Sequence, residues 1–402
     1  MPADQFDRMR DILAAPSPVG LEGAMTFGVL RPQFQSFMPE HWNIHTFRSN
    51  AGIVVDTAPG RDDLLTVMIV GHADKIRMQV RHIGDDGKVW IDSDSFLPQT
   101  LLGHEVTIFS EDQNNPGSYR QLSGATVEAL GAIHFADAAT RNGDKGIRPS
   151  QLYLELHTWG ENRKAQIEAL GIRPGDSVLL NRPIRPGVSP DTFYGAYLDN
   201  GLGCFVAEEL GRLLAQEELQ NVRVLLAFAA WEEIGRFGSR VLAGELKPDV
   251  VIAVDVNHDY QAAPGIGDRR YTPLAMGKGY TISVGAIASE FLNARITRAS
   301  AAQEIPFQRC VNGRDTGTDA MAGVLASIDA AATSIGFPIR NMHTISESAH
   351  TGDVLASIYG LEAFLREADR DKLSANDFRA GHPRLDQAAP LSAGRDASTS
   401  EG

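Results

Sequence analysis

Val222–Ala229 (VRVLLAFA) is a short, nearly unbroken apolar run, followed directly by two adjacent carboxylates, Glu232 and Glu233. A run of this length and kind reads as a strand buried on both faces. Such strands belong to sheets with helices packed on either side, so this stretch predicts an α/β layer. Gly235 and Gly238 supply turn freedom before a helical segment. In an open α/β sheet, ligands bind outside the carboxyl ends of the strands. Two acids at that place are either charges on a solvated loop or part of a site.

The chain has 402 residues, enough for two domains. Acidic residues number 51 against 37 basic, a formal charge of −14, which disfavours nucleic acid or an anionic membrane surface as partner. The two cysteines, Cys204 and Cys310, imply no disulfide framework and fit a reducing compartment. The first residues lack the pattern of a secretory signal, and no apolar run approaches the ~18–20 residues of a membrane span. A cytoplasmic protein is expected.

Asp4–Ala15 has helical spacing, and a second helix is expected over Glu22–Phe37. Gly52–Asp56 and Leu64–Val70 read as strands, the latter leading into His72 and Asp74. From Gln79 the texture changes. Short β-like pieces (Met78–His82, Lys88–Ile91, Glu105–Phe109, Gln151–Leu156, Ser177–Leu180) alternate with turn residues and predict a small β-rich unit. The α/β texture returns at Phe193, with a helix over Gly201–Leu214, the Val222–Ala229 strand and another at Val250–Val254. Thr318–Ala332 is Ala-rich and reads as helical, and Asp353–Ala368 as the last amphipathic helix. The expected organisation is a discontinuous α/β domain (1–78 and 190–370) with a β-rich domain inserted at 79–189. The polar segment 371–402 reads as a mobile tail.

Metal-capable side chains stand just after strand-like runs at separate places: His72 with Asp74, Asp199, Glu232 with Glu233, Asp255, and His343. Singly, each has an ordinary reading. His72 can be a structural histidine, Asp199 a helix N-cap and Asp255 a turn residue. Together they lie where parallel strands would bring them to one edge. Two divalent ions need a bridging carboxylate plus a histidine and a carboxylate each. Imidazole and carboxylate together suit Zn, Co or Mn. One further carboxylate must serve as general base. The spacing of Asp74 from His72 suits an acid that orients a ligand imidazole.

Several segments resemble the M42 metallo-aminopeptidases, over most of residues 7–367. GHAD (71–74) resembles the family's AHMD, LDNGLGC (198–204) its LDDRAG, WEEIGRFGS (231–239) its QEEVGLRGA, and VIAVDVNH (251–258) its AIAVDVTH. MGKGYTI (276–282), TGTDA (316–320) and IRNMH (339–343) resemble LGKGPVI, GGTDA and LRYIH. LLGHEV (101–106) and ALGIRPGDSV (169–178) extend the resemblance into the inserted segment. It implies that Asp199 bridges two divalent transition-metal ions. His72 and Asp255 would complete one shell, Glu233 and His343 the other. Glu232 would be the general base, and Asp74 would orient His72. It also implies a PDZ-like or barrel-like insertion that helps build dimers to dodecamers.

Some residues depart from the family pattern. Lys75 stands where an acid is usual, which implies a less negative site rim. Asn200 and Gly201 replace Asp and Arg, and the segment after His343 differs from SPVEV. These positions bear on specificity more than on catalysis. Lys278 is expected on a loop near the site, Cys204 in the core, and Arg340 as a carboxylate partner or a loop anchor. Asp319 reads as a helix cap or a group behind the ligands, and His258 as a further ligand at most.

The leading expectation is a metal-dependent aminopeptidase acting on peptides. A dimetal deacylase or amidase would keep the same centre with a different pocket. A glycosidase needs two acids facing each other across a bond, and neighbours in extended chain diverge. A non-catalytic assembly protein is disfavoured because every proposed ligand and the base are present.

Overall fold

The computed structural model describes residues 1–378, except 94–95, 113, 116–117, 264–271 and 327–328. In chain order, β1 (Asn43–Phe47), β2 (Gly52–Asp56) and β3 (Leu65–His72) enter a main sheet. Then β4 (Met78–Ile83), β5 (Val89–Ser93), β6 (Glu105–Glu111), β7 (Tyr119–Glu128), β8 (Tyr153–Glu155) and β9 (Ser177–Leu180) close into a barrel, in the order β4-β5-β8-β7-β6-β9. After β10 (Arg185–Pro186) and β11 (Thr192–Gly195), the chain returns to the main sheet with β12 (Val222–Ala229), β13 (Val250–His258), β14 (Tyr280–Gly285), β15 (Phe307–Asn312) and β16 (Ala331–Ile339). β17 (Glu347–His350) joins β10 and β11 in a small sheet.

The main sheet has eight strands in the order β1-β2-β12-β3-β13-β16-β14-β15. Its centre is parallel: β12 runs with β3 from Val222 opposite Leu65 to Ala229 opposite His72, and β13 runs with β3 and with β16. These strands are buried on both faces, which is why their sequences read as continuous apolar runs. Val224, Leu226 and Phe228 point into a core with helices α1 (Ala3–Ala14) and α2 (Leu198–Gln216). Leu225, Ala227 and Ala229 point the other way, against α3 (Phe237–Leu246). The result is a helix–sheet–helix sandwich carrying an inserted barrel with its own apolar core, including Ile91, Val106, Ile108 and Val178.

Several expectations need correction. The helix read over Thr318–Ala332 ends at Leu325, and Ala331 and Ala332 open β16. Alanine favours helix locally, but these two pair in parallel with Val250 and Val251 inside the sheet, and tertiary pairing overrides propensity. β7, the longest barrel strand, went unread because Tyr119–Gly124 is largely exposed and polar. The expected second helix is a helical stretch, Gly23–Gln35, with a widened turn at Thr26–Leu30. Of the expected tail, Leu373 and Phe378 pack on the main core, and 379–402 lie outside the described residues. Among the described residues no helix is long and apolar enough to cross a membrane.

Candidate metal centre

Parallel β12, β3, β13 and β16 bring their carboxyl ends to one edge. His72 is the last residue of β3, Asp255 lies toward the end of β13, Glu232 and Glu233 follow β12, and His343 follows β16. Asp199 enters from α2, but with non-helical dihedrals (φ −78°, ψ 110°), so its side chain leaves the helix axis toward the edge. Asn200 fixes that exit: its amide donates to the carbonyl of Val254 (2.8 Å) and accepts from Gly203 N–H (2.8 Å). A carboxylate there could not donate to Val254, so this departure has a structural reason. The approach is close. A Cβ on Gly203 would lie 2.4 Å from the Val254 carbonyl, and one on Gly238 would lie 2.0 Å from that of Ala230. Trp231 (φ 62°) and His343 (φ 60°) hold left-handed backbone without being glycine, a strain typical of functional sites.

All six residues line one cavity of about 270 Å³. Asp199 Oδ1 stands 3.2 Å from His72 Nε2, and Oδ2 stands 3.2 Å from His343 Nε2. Glu232 Oε2 and Asp255 Oδ1 are each 3.9 Å from His72 Nε2, whereas Glu233 Oε1 is 3.9 Å from His343 Nε2. The adjacent glutamates therefore approach different imidazoles. Ligand atoms of His72, Asp199 and Glu233 lie within 4.8 Å of one another. A larger cavity of about 520 Å³, on the barrel beside Arg120 and Arg173, holds none of these groups.

The residue set fits divalent cations. Among the described residues, neither Asp199 Oδ1, despite its approach to His72, nor Glu233 Oε1 has a partner in hydrogen-bond geometry, and both are buried. Donors of one tetrahedral ion with bonds of about 2.0 Å stand roughly 3.3 Å apart, close to the Asp199–His72 spacing. The electrostatics agree. Burial pushes Glu232 up to about 9, with Asp319, Asp255 and Asp199 adding to it against His72. Burial pushes Asp255 up to about 8, again with Asp199 adding against His72, and it drives Glu233 well up, with Asp199 adding. Burial would also raise Asp199, but His343 and His72 outweigh it and hold its carboxyl below the usual range. Too many acids share too little positive charge, which is the condition that bound cations relieve.

Asp74 is fully buried, and its carboxylate accepts the backbone N–H groups of Glu232 (3.0 Å) and Glu233 (3.1 Å). His72 Nδ1 hydrogen-bonds the Asp74 backbone carbonyl (3.1 Å), with carboxylate Oδ1 at 3.5 Å. Asp74 thus holds the loop of the two glutamates as well as the ring. Lys75 is turned away from the site, contrary to the expectation of a less negative rim. It is buried, its Nζ donates to the carbonyls of Leu13 (2.7 Å) and Ala15 at the end of α1, and it lies over the Tyr197 ring. Burial pushes it down to about 7.

Glu347 was not singled out from the sequence. Its buried carboxylate accepts the N–H groups of Leu198 (2.6 Å), Asp199 (3.4 Å) and His343 (2.7 Å). The available signal was an acid a short offset past His343, in a segment read only as a departure. Glu22 was also missed; it is fully buried and accepts Gly20 N–H at 2.9 Å. Arg340 pairs with Asp259 (2.9 Å), and Cys204 is buried with its thiol toward the His72 carbonyl. His258 lines the cavity, while Asp319 is buried at the start of the helix α4 (Asp319–Leu325). Lys278 is not among the residues lining the cavity; its flanking glycines donate to Asp353.

A family model described as M42 glutamyl aminopeptidase matches residues 52–359. Lysyl aminopeptidase of Pyrococcus furiosus is 28% identical over 304 residues, 75% of this chain and 81% of its own length. The structure of an aminopeptidase from the archaeon Desulfurococcus kamchatkensis superposes with a TM-score of 0.78 at 22% identity, covering 92% of this chain and 96% of that one. The TET1 peptidase of Pyrococcus horikoshii, described as assembling into a tetrahedron or a large octahedral shell, gives a TM-score of 0.72 at 18% identity, covering 90% and 99%. At these identities the structural likeness is one of fold.

Proposed function

The chain belongs to the M42 peptidase family and is a metal-dependent aminopeptidase, and from that premise we propose how its own residues divide the work. Two divalent ions, Zn or else Co or Mn, would share Asp199; His72 and Asp255 would hold one, and Glu233 and His343 the other. The observation that carries this reading is the Asp199 carboxylate, with one oxygen 3.2 Å from each imidazole. When bound, the ions polarise the scissile carbonyl and lower the pKa of a water. Glu232 takes the proton of the attacking water and returns it to the leaving amine, as general base and then general acid. Asp74 keeps Glu232 and Glu233 in register through their backbone N–H groups. Asp199 and His343 share Glu347 as a common anchor.

The substrate is a peptide with a free N-terminus. We assign the barrel a role in self-association, supported by the exposed Phe135 and Trp159 on its connecting segments (90% and 92% exposed). Sedimentation of a chain lacking the barrel should show a smaller species, and an unchanged oligomer refutes that role. Both cysteines are unpaired, in keeping with a reducing cytoplasm. The test of the main reading is metal analysis combined with an aminopeptidase panel. The purified protein should hold up to two transition ions per chain and lose activity on their removal. Full activity of metal-free protein contradicts it.

A further inference from the structure

The cavity extends beyond the ligand set, and its remaining described walls decide which side chain can follow the reacting amide into it. Val256, Leu274, Cys310 and Met342 give it apolar surface, and Thr316 adds a neutral hydroxyl. Two asparagines also face it, but both are engaged: Asn257 takes the Thr281 hydroxyl, and Asn312 donates to Ser283 Oγ (2.9 Å). Apart from the candidate ligands and Glu232, no Asp, Glu, Lys or Arg lines the cavity among the described residues. Two neighbouring guanidinium groups are already spoken for. Arg236 holds Asp315 at 2.7 and 2.9 Å, and Arg340 holds Asp259 at 2.9 Å. Arg314 is not among the residues lining the cavity; it lines an adjoining depression that shares Asn312 and Thr316 with it.

We propose that this site selects peptides whose N-terminal residue carries an uncharged, medium-sized side chain, such as leucine or methionine, with Leu274, Cys310 and Met342 as its specificity-determining walls. The inference rests on the aminopeptidase reading and narrows its substrate class. A lysine or glutamate side chain entering this cavity loses its hydration and, among the described residues outside the proposed ligands and Glu232, meets no charged wall to offset that cost. A leucine side chain gains the apolar contact instead.

The test uses the metal-loaded enzyme with leucyl, methionyl, alanyl, lysyl and glutamyl p-nitroanilides, and calorimetric binding of the corresponding free amino acids. The leucyl and methionyl substrates should exceed the lysyl and glutamyl ones in kcat/KM by roughly 10–100-fold, the range an apolar pocket can give. Free leucine and methionine should bind more tightly than lysine and glutamate, a readout independent of turnover. Cys310→Asp should raise the lysyl-to-leucyl ratio by about tenfold, and Cys310→Ser should not. A wild-type preference for lysyl or glutamyl substrate, or tighter binding of lysine or glutamate, overturns the proposal. Absence of cleavage across the whole panel with metal bound instead overturns the aminopeptidase reading, and the inference falls with it.

Discussion

The carboxylate of Glu347 accepts the backbone N–H of His343 at 2.7 Å. Its other oxygen receives Leu198 and Asp199 N–H, so one buried acid ties together two segments far apart in the chain. Both segments carry proposed ligands, and the bridging Asp199 and the terminal His343 share this anchor. The Asp199–His343 spacing is therefore set through backbone N–H groups by a residue outside the proposed ligand set.

Glu347→Gln turns one acceptor oxygen into an amide that faces a backbone donor. The expected outcome is weaker metal binding by roughly 10–100-fold, typical of losing a group that orients ligands. Chelator competition measures it. Unchanged affinity and stoichiometry would mean that the contact does not position the centre.

Lys75→Glu restores the acid that the family resemblance expects at this position. Since Lys75 Nζ serves the carbonyls of Leu13 and Ala15, the change sets a buried carboxylate against acceptors. Stability should fall by about 2–4 kcal/mol, seen as a lower Tm, while substrate preference stays the same. A shifted preference at unchanged Tm would place Lys75 back at the site rim.

Glu22 gives a pH-dependent prediction. Burial pushes its carboxyl from the ordinary 4.5 up to about 7, with Asp74 adding to it against the Gly20 N–H. Between those values the folded chain holds a proton that the unfolded chain has released. Stability from this group is therefore complete below pH ~4.5 and is lost as pH rises through about 7. Glu22→Gln should raise Tm by a few degrees at pH 8 and change little at pH 5, an effect of about 1–3 kcal/mol. A lower Tm at pH 8 would show that the ionised carboxylate is needed.

What the residues made legible follows from how locally each feature is encoded. β12 could be read to its ends because burial on both faces leaves an unbroken apolar run. His72, Asp199, Glu232, Glu233, Asp255 and His343 stood out because each sits at the end of such a run or in a distinctive short motif. Other features depend on partners distant in the chain. Ala331 and Ala332 look helical until Val250 and Val251 are seen beside them. β7 closes the barrel with one face in water, so its alternation is weak. The direction of Lys75 is set by the end of α1, and the role of Glu347 by N–H groups at 198–199 and 343. No local pattern around either residue carries that information.

The division of labour between Glu232 and Glu233 is the central claim, and paired variants test it most directly. Their carboxylates approach different imidazoles, Glu232 that of His72 and Glu233 that of His343, each at 3.9 Å. The measurement is turnover together with metal content per chain for Glu232→Gln and Glu233→Gln. Glu232→Gln should keep both ions and the fold while the rate falls by roughly 10²–10⁴, the loss of a general base. Glu233→Gln should lower metal occupancy, because a neutral amide is a poor ligand. Loss of metal in Glu232→Gln with retention in Glu233→Gln would mean that the roles are exchanged, and two variants with native rate and native metal content would place the reaction elsewhere.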